Sequence, residues 1–334
     1  MKLLVTGGAG FMGSNFIHYI LNKYPDYEII NLDKLTYAGN LRNLSDIENN
    51  SRYKFVKGDI SDPTLVKELI SQVDVVVNYA AETHVDRSIL APREFAQTDV
   101  IGTLTILNAI RELGNTVKLI QISTDEVFGS IDEGKFTENS PFEPNSPYAA
   151  SKAGGDLMCR AFFVTYKTPV VVTHSCNFYG PYHYPEKLVP LAITNLLEGK
   201  KVPVYGDGLQ VREWIFTEDH CSSVDVIMHK GVVGEIYNIG TEDEWKNIDT
   251  IKLIIEKLNL DESYIEYVKD RPGHDRRYSL DTSKLRNELG WEPKVNFRDG
   301  ISLTVEWFKN NQQWWKDIKS GDYKNYYKEQ YGDK

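Results

Sequence analysis

Tyr148 and Lys152 stand four residues apart. On a helix that spacing puts a phenol and an ammonium on one face. A neighbouring cation stabilises a phenolate and lowers its pKa, so the pair is suited to drawing a proton from a hydroxyl. Residues 123–127 read STDEV. Thr124, Asp125 and Glu126 follow an apolar run, at the strand edge where open α/β sheets bind ligands. Two adjacent carboxyls fit either a polar loop or a split acid–base pair. In the second case burial and mutual repulsion raise one pKa, so that one group carries a proton while the other is ionised. Plain alcohol oxidation needs only the tyrosine. Two further proton-transfer groups point to a second chemical step.

Other candidates are more scattered. His84 and Asp86 follow the run that ends near Tyr79. Seven histidines never form HExxH or another tight ligand set, so no metal is expected, and His84 reads as a group that orients cofactor or substrate. Lys187, Arg212, Arg271 and His274 all come from the second half. Guanidinium forks suit a diphosphate. Taken singly, each reads as a surface ion pair.

Such groups need a scaffold, and the N-terminus supplies its first element. Gly7, Gly10 and Gly13 form GxxGxxG, and Gly8, Gly10 and Gly13 form GxGxxG. The pattern lies between a short apolar strand, Leu3 to Thr6, and a helix continuing through Asn15 to Asn22. In that context the glycines predict a tight turn that lets backbone approach a pyrophosphate, with helix amides facing the negative charge. Asp33 lies 20 residues after Gly13, beyond a second strand. A carboxylate there accepts hydrogen bonds from an adenosine ribose and repels a 2′-phosphate, which favours NAD over NADP. Lys34 either faces solvent or softens that preference. Asp59 either meets the adenine edge or caps the following helix.

The first 180 residues alternate strand and helix. Strands are predicted at Ile29 to Leu32, Tyr53 to Lys57, Val73 to Asn78, Val117 to Ser123 and Val170 to His174, with a helix at Leu65 to Ile70. Strands apolar on both faces suit a parallel sheet covered by helices. The expected fold is α/β: a Rossmann-type NAD-binding domain over 1–180, and a smaller mixed α/β substrate domain over 181–334 with segments returning to the first. In the second half, helices are predicted at Leu188 to Leu197, Ile248 to Leu258 and, as a terminal helix, Phe297 to Phe308. A strand is predicted at Val211 to Phe216, and the polar, tyrosine-rich last fifteen residues are expected to fray.

Whole-chain properties bound the partners. The 334 residues carry 38 basic and 48 acidic side chains, a net charge of −10, with no basic stripe, so nucleic acid is not an expected partner. Three cysteines without CxxC spacing predict free thiols in a reducing compartment. The first strand begins at Lys2, which leaves no room for a signal peptide, and no apolar run approaches the ~20 residues of a membrane span. A cytoplasmic enzyme is expected.

The assembled motifs resemble the extended short-chain dehydrogenase/reductase superfamily and, within it, the dTDP-glucose 4,6-dehydratase family. The likeness runs nearly end to end: TGGAGFMGSNF from Thr6, DKLTYAGN from Asp33, AAETHVDRSI from Ala80, STDEVFG from Ser123, SPYAASKA from Ser146, YGPYHYPEKLVP from Tyr179 and RPGHDRRY from Arg271. It implies tightly held NAD that is regenerated in each cycle. By the same resemblance, Tyr148 acts as base while hydride leaves C4 of the glucose, and Thr124 hydrogen-bonds the C4 oxygen. Glu126 removes the C5 proton, Asp125 protonates the departing C6 hydroxyl, and hydride returns to C6. The product is dTDP-4-keto-6-deoxyglucose. The order follows from chemistry, because only a 4-keto group makes the C5 proton acidic enough for a carboxylate.

The resemblance also distributes binding roles. Phe11, Met12, Leu35, Thr36, Ile60, Ala80 and Ala81 would lie along NAD. Thr83, Thr98 and Lys152 would contact NAD or help position the sugar. Asn177, Glu186, Lys187 and Leu188 would approach the sugar nucleotide, with Pro203 beside it and Tyr205 near the base. Arg212, Asn247, Arg271 and His274 would hold the diphosphate and nucleoside. A homodimer would pair through helices near Thr103 to Leu113 and Ala149 to Tyr166. Departures from the family pattern are Phe178 for a second asparagine, His174 for an arginine, Cys176, and NIGTEDEW from Asn238 without its second glycine. They imply leakier cofactor or altered nucleotide preference. A nucleotide-sugar 4-epimerase shares NAD, Thr124, Tyr148 and Lys152 but needs no Asp125–Glu126 pair. UDP- or CDP-glucose as substrate, and a non-catalytic NAD sensor, remain alternatives.

Overall fold

A computed structural model describes residues 1–320, so the expectation for the last fifteen residues lies essentially outside the described part. Six strands come first: β1 (Lys2–Thr6), β2 (Glu28–Asp33), β3 (Tyr53–Lys57), β4 (Val75–Asn78), β5 (Lys118–Thr124) and β6 (Val170–Ser175). With a later strand, Ile236–Ile239, they form one seven-stranded sheet in the order Ile236–Ile239, β6, β5, β4, β1, β2, β3. Every pairing in it is parallel. The central strands are buried on both faces, as their Val/Ile/Leu-rich runs require. β1 sits between β2 and β4, so the strand order reverses there and opens a crevice at the carboxyl ends.

Local chemistry sets the boundaries of the key helices. Gly10 opens helix Phe11–Lys23 without any side-chain cap, which leaves its first amides to face outward. Asp62, not Asp59, caps helix Pro63–Ile70, accepting from the amides of Thr64 at 3.0 Å and Leu65 at 3.1 Å. Ser146 caps helix Pro147–Tyr166, accepting from Ala149 at 3.1 Å, with Pro147 pre-set for its first turn. That helix packs on a π-helical turn, Ala96–Gly102, that sequence periodicity does not announce.

The later chain builds a second body. Asn177–Tyr179, Val211–Phe216 and Glu244–Lys246 form a three-stranded sheet, and Val202–Tyr205 pairs with Ile265–Val268. These strands share an aromatic core that includes Tyr179, Trp214, Phe216, Phe297 and Phe308. Helix Thr217–Lys230 and strand Ile236–Ile239 return to the large sheet, the helix packing on Phe11–Lys23. Helix Phe297–Asn310 is not terminal, since helix Gln312–Ser320 follows and buries Trp314 and Trp315. The short strands Asn177–Tyr179, Val202–Tyr205 and Glu244–Lys246 escaped the sequence reading, because three or four residues carry too little periodicity. All three cysteines are free and buried. No helix of the described residues is long and apolar enough to cross a membrane.

Candidate active site

A cavity of about 310 Å³ runs along the carboxyl ends of the large sheet and under the second body. One end is the glycine turn. Gly7 has φ +65°, and a Cβ there would lie 2.7 Å from the backbone of Ala80. A Cβ on Gly13 would lie 2.4 Å from the Gly7 carbonyl oxygen. Only glycine permits this approach of turn, helix and the segment after β4. Gly10, Phe11, Met12 and Gly13 line the cavity with the uncapped helix start, a donor set that fits a pyrophosphate.

Asp33 ends β2 and lines the same cavity. Its carboxylate accepts from the amides of Ala9 at 2.9 Å and Leu35 at 2.7 Å. Burial raises its pKa, and those two bonds oppose the rise. Leu35 itself, at φ +57°, does not line the cavity; its backbone serves Asp33. Lys34 is neither wholly solvated nor aimed at Asp33: it pairs with Asp59 at 2.7 Å. Burial works to raise the Asp59 carboxyl, but the Lys34 bond and the Ser61 bonds outweigh it and hold the group below its ordinary value. Thr36, Ile60, Ala80, Ala81, Thr83 and Thr98 complete this wall. A ribose acceptor, an amide cluster and glycine contacts that exclude a Cβ together fit NAD.

The other end holds the proton-transfer groups. β5 ends at Thr124, whose Oγ1 caps the turn Asp125–Phe128 and donates to Asp125 Oδ1 at 3.2 Å. Asp125 is 1% exposed, and its second carboxyl oxygen is buried without a partner. Burial, then the charges of Glu126 and Glu213, raise its pKa well above the ordinary carboxylate value, which favours the protonated form of Asp125. Tyr148 is also buried, and burial followed by Glu126 and Asp99 pushes its phenol well up, opposed by a hydrogen bond with Thr124. Lys152 lines the cavity but donates to the Ile122 carbonyl at 2.7 Å. The lysine effect expected at Tyr148 is thus outweighed here by burial and nearby carboxylates.

Asn177, Glu186, Lys187 and Leu188 enter from the second body. The Asn177 Oδ1 is buried and unpartnered, on a residue that lines the cavity. Glu186 accepts from Tyr37 at 2.9 Å and Arg87 at 3.0 Å, and Lys187 donates to the Thr83 carbonyl at 2.6 Å. His84, Pro203, Tyr205, Arg212, Asn247, Arg271 and His274 do not line this cavity. Most of them form an adjoining polar arm. Tyr205 donates to Asp86 at 3.2 Å and Arg271 pairs with Asp86 at 3.4 Å. His274 bonds Asp270 at 2.6 Å. Arg212 is buried, bonded to the carbonyls of Val211 and Asp275 and lying over Tyr278 at 4.1 Å, so it is not a surface ion pair. Glu126 acts electrostatically on Arg271, which ties the arm to the acid turn. Burial, then Lys187, Arg87 and Arg271, push the His84 pKa well down, so its ring is neutral. Pro203 sits in strand Val202–Tyr205, paired in register with Glu266.

Sequence reasoning passed over Glu82, Tyr184, His183 and Trp214, which also line the cavity. Glu82 lay inside a quoted motif and was legible there; burial, then Asp99 and Glu94, raise it to about 7. Phe178 lines the cavity and packs on His220 with ring centroids 4.4 Å apart, leaving an apolar face where an amide was expected. His174 bonds Asp156 at 3.3 Å in the core. Among the described residues no three His, Cys, Asp or Glu side chains converge to hold a metal.

A family model described as GDP-mannose 4,6 dehydratase matches residues 4–304. A dTDP-glucose 4,6-dehydratase of Xanthomonas campestris pv. campestris (strain B100) is 49% identical, over 96% of this chain and 97% of its own. A dTDP-glucose 4,6-dehydratase from Bacillus anthracis str. Ames, solved with NAD, superposes with a TM-score of 0.90 at 50% identity, over 95% of this chain and 99% of its own. One from Streptomyces venezuelae, with NAD and a second ligand bound, gives 0.93 at 49% identity, over 95% and 100%.

Proposed function

This chain belongs to the NAD-dependent dTDP-glucose 4,6-dehydratase family of the extended short-chain dehydrogenases/reductases, and from that premise we propose how its residues divide the reaction. It converts dTDP-glucose to dTDP-4-keto-6-deoxyglucose and water by C4 oxidation, elimination across C5 and C6, and C6 reduction. NAD, when bound, accepts the hydride from C4 and returns it to C6, so there is no net redox change.

Tyr148 takes the C4 hydroxyl proton, with Thr124 bonded to the phenol and placed to hold the same oxygen. Glu126 removes the C5 proton once C4 is a ketone. Asp125 supplies a proton to the C6 oxygen as it leaves as water. The observation that supports this division is the single turn carrying both acids: Asp125 is buried with its pKa raised, while Glu126, next in the chain, is half-buried and lines the cavity. One neutral acid and one adjacent carboxyl meet the two needs of an elimination. The Lys152 ammonium reaches the cavity and balances buried negative charge below the phenol. The glycine turn and Asp33 hold the cofactor, Asn177, Glu186, Lys187 and Leu188 hold the hexose, and the Arg212–Arg271–His274 arm takes the diphosphate and base. In this assignment 1–180 mainly serves NAD and 181–334 mainly the sugar nucleotide.

Incubation with C4-deuterated dTDP-glucose tests the reaction by mass spectrometry. The expected product has lost water and carries the label at C6. A product that keeps its C6 hydroxyl would instead place the chain with the 4-epimerases. A panel of dTDP-, UDP- and CDP-glucose tests the base, with dTDP expected to lead, since related structures hold dTDP-type ligands. We also propose a cytoplasmic homodimer. Its pairing helices are Thr103–Glu112 and Pro147–Tyr166, the latter exposing Leu157 and Val164. Light scattering reads the dimer directly.

A further inference from the structure

We propose that Asp99 is a positioning residue for C4 oxidation: its buried carboxyl, behind the Tyr148–Lys152 helix, sets the charge that those two side chains feel. The inference rests on Tyr148 being the C4 base.

Asp99 is 2% exposed and lies on the π-helical turn Ala96–Gly102. A π turn is rare, and it widens the helix locally so that one side chain is re-aimed. Here the turn packs against Pro147–Tyr166 at close range. A Cβ on Gly155 would stand 2.7 Å from the Asp99 carbonyl oxygen. The Asp99 carboxyl accepts from Ser151 Oγ at 2.5 Å, and Ser151 is the neighbour of Lys152. Its other oxygen is buried with no partner. An acid buried with half of its acceptor capacity unused is costly, and its state follows the charges around it.

Those charges come from three sides. The catalytic helix presents Lys152, which favours the carboxylate, and Asp156, which opposes it. The loop after β4 presents Glu82, whose carboxyl and that of Asp99 repel each other. Glu82 in turn feels Glu94, Lys34 and Arg87. Burial raises Asp99 to about 6, against the pull of Lys152 and the Ser151 bond. Tyr148 in turn feels Glu126, Asp99 and Asp125, each of which raises its phenol.

The sign follows directly. Above about 6 Asp99 is ionised; it offsets the Lys152 charge and adds its own field against the phenolate. Below that value it is neutral, and the lysine acts on Tyr148 with less opposition. Asp99 therefore adds to burial and Glu126 in opposing the phenolate, until positive charge enters the cavity with the oxidised nicotinamide.

Asp99→Asn keeps the shape and removes the charge. A unit charge across one helix face moves a neighbouring pKa by about one unit at the effective dielectric of such sites. The acid limb of the pH–rate profile for single-turnover C4 oxidation is expected to move about one pH unit lower. In cofactor-loaded enzyme without sugar, carbon NMR of ring-labelled tyrosine, with the Tyr148 signal assigned by loss in Tyr148→Phe, is expected to show the same displacement. Ser151→Ala withdraws the donor that favours the Asp99 carboxylate, so it is expected to move both readouts the same way by a smaller step, and it serves where Asp99→Asn does not fold. A Tyr148 resonance that titrates unchanged in both variants overturns the role of Asp99 alone. A resonance that moves while the rate profile stays fixed overturns Tyr148 as the C4 base, and the Asp99 inference with it.

Discussion

The glycine end and the acid end of one cavity are built by opposite means. At the glycine end, backbone meets ligand and the polar side chains are tied down locally. Asp33 is committed to the amides of Ala9 and Leu35, and Asn43 donates to the Ala9 carbonyl at 3.0 Å. At the acid end, buried polar atoms are left uncommitted: Asp125 Oδ2, Asn177 Oδ1 and Asp99 Oδ1 have no partner. The first arrangement fixes a shape. The second concentrates desolvated acids whose pKa values are displaced, which is what proton transfer requires. Substitutions at the acid end should therefore cost rate and spare stability, whereas those at the glycine end should cost stability and cofactor and spare the chemistry of whatever remains loaded.

The largest effects belong to the acid end. Tyr148→Phe should slow C4 oxidation by about 10²–10⁴-fold, the usual contribution of a positioned acid or base. Glu126→Gln should slow C5–solvent exchange by a similar factor, about 10²–10⁴, while oxidation proceeds. Rapid 4-keto formation in the first variant, or undiminished exchange in the second, breaks the assignment. Thermal melting of both should match the parent closely. The pH dependence has a fixed sign. Asp125 acts as an acid only while protonated, and its pKa lies well above the usual carboxylate range. Elimination should extend to higher pH than an ordinary carboxyl would allow and fall as pH rises through that raised pKa. A pH-dependent trapping of the 4-keto species, followed by quenched-flow, reads this fall.

A smaller and opposite effect is expected at Gly13→Ala. The added Cβ would stand 2.4 Å from a carbonyl oxygen and 2.7 Å from the Gly8 Cα, both backbone atoms that cannot swing aside. Overpacking of this kind costs about 1–3 kcal/mol. The variant should melt earlier and lose NAD on dialysis, and the loaded fraction should turn over at the parent rate. Full cofactor retention would show the turn to be softer than its contacts imply.

The same contrast governs what was legible in the sequence. Glycine spacing, a carboxylate 20 residues on, and the four-residue step from Tyr148 to Lys152 are local patterns, and the elements that carry them lie within a few residues of expectation. The acid turn was visible as STDEV because it follows a strand. What escaped was non-local. The π-helical turn under Lys152 has no period of its own to read. Strand Ile236–Ile239 joins β6 from 60 residues away, through packing that single-chain periodicity does not encode. Arg212 looks like a surface cation in sequence, yet its guanidinium is bonded to the carbonyl of Asp275, which a linear pattern does not link to it.

The finest test of the contrast lies within four residues of one loop. Asp59 and Asp62 are both acids before the same helix, and from the sequence Asp59 alone is considered as its cap. In the structure Asp62 takes the capping amides, while Asp59 lines the cavity and pairs with Lys34. Removing a capping carboxylate costs about 1 kcal/mol. Asp62→Ala should therefore lower stability by about 1 kcal/mol in urea unfolding and leave NAD affinity alone. Asp59→Ala removes a pair that is partly solvated, the kind worth about 0–1 kcal/mol, so stability should barely change. It also frees Lys34 and strips an acceptor from the cavity wall, so NAD should bind more weakly and discrimination against a 2′-phosphate should relax. Were the two variants to exchange behaviours, with Asp62→Ala releasing cofactor and Asp59→Ala melting early, the division between structural and ligand-facing carboxylates would be drawn at the wrong residue of this loop.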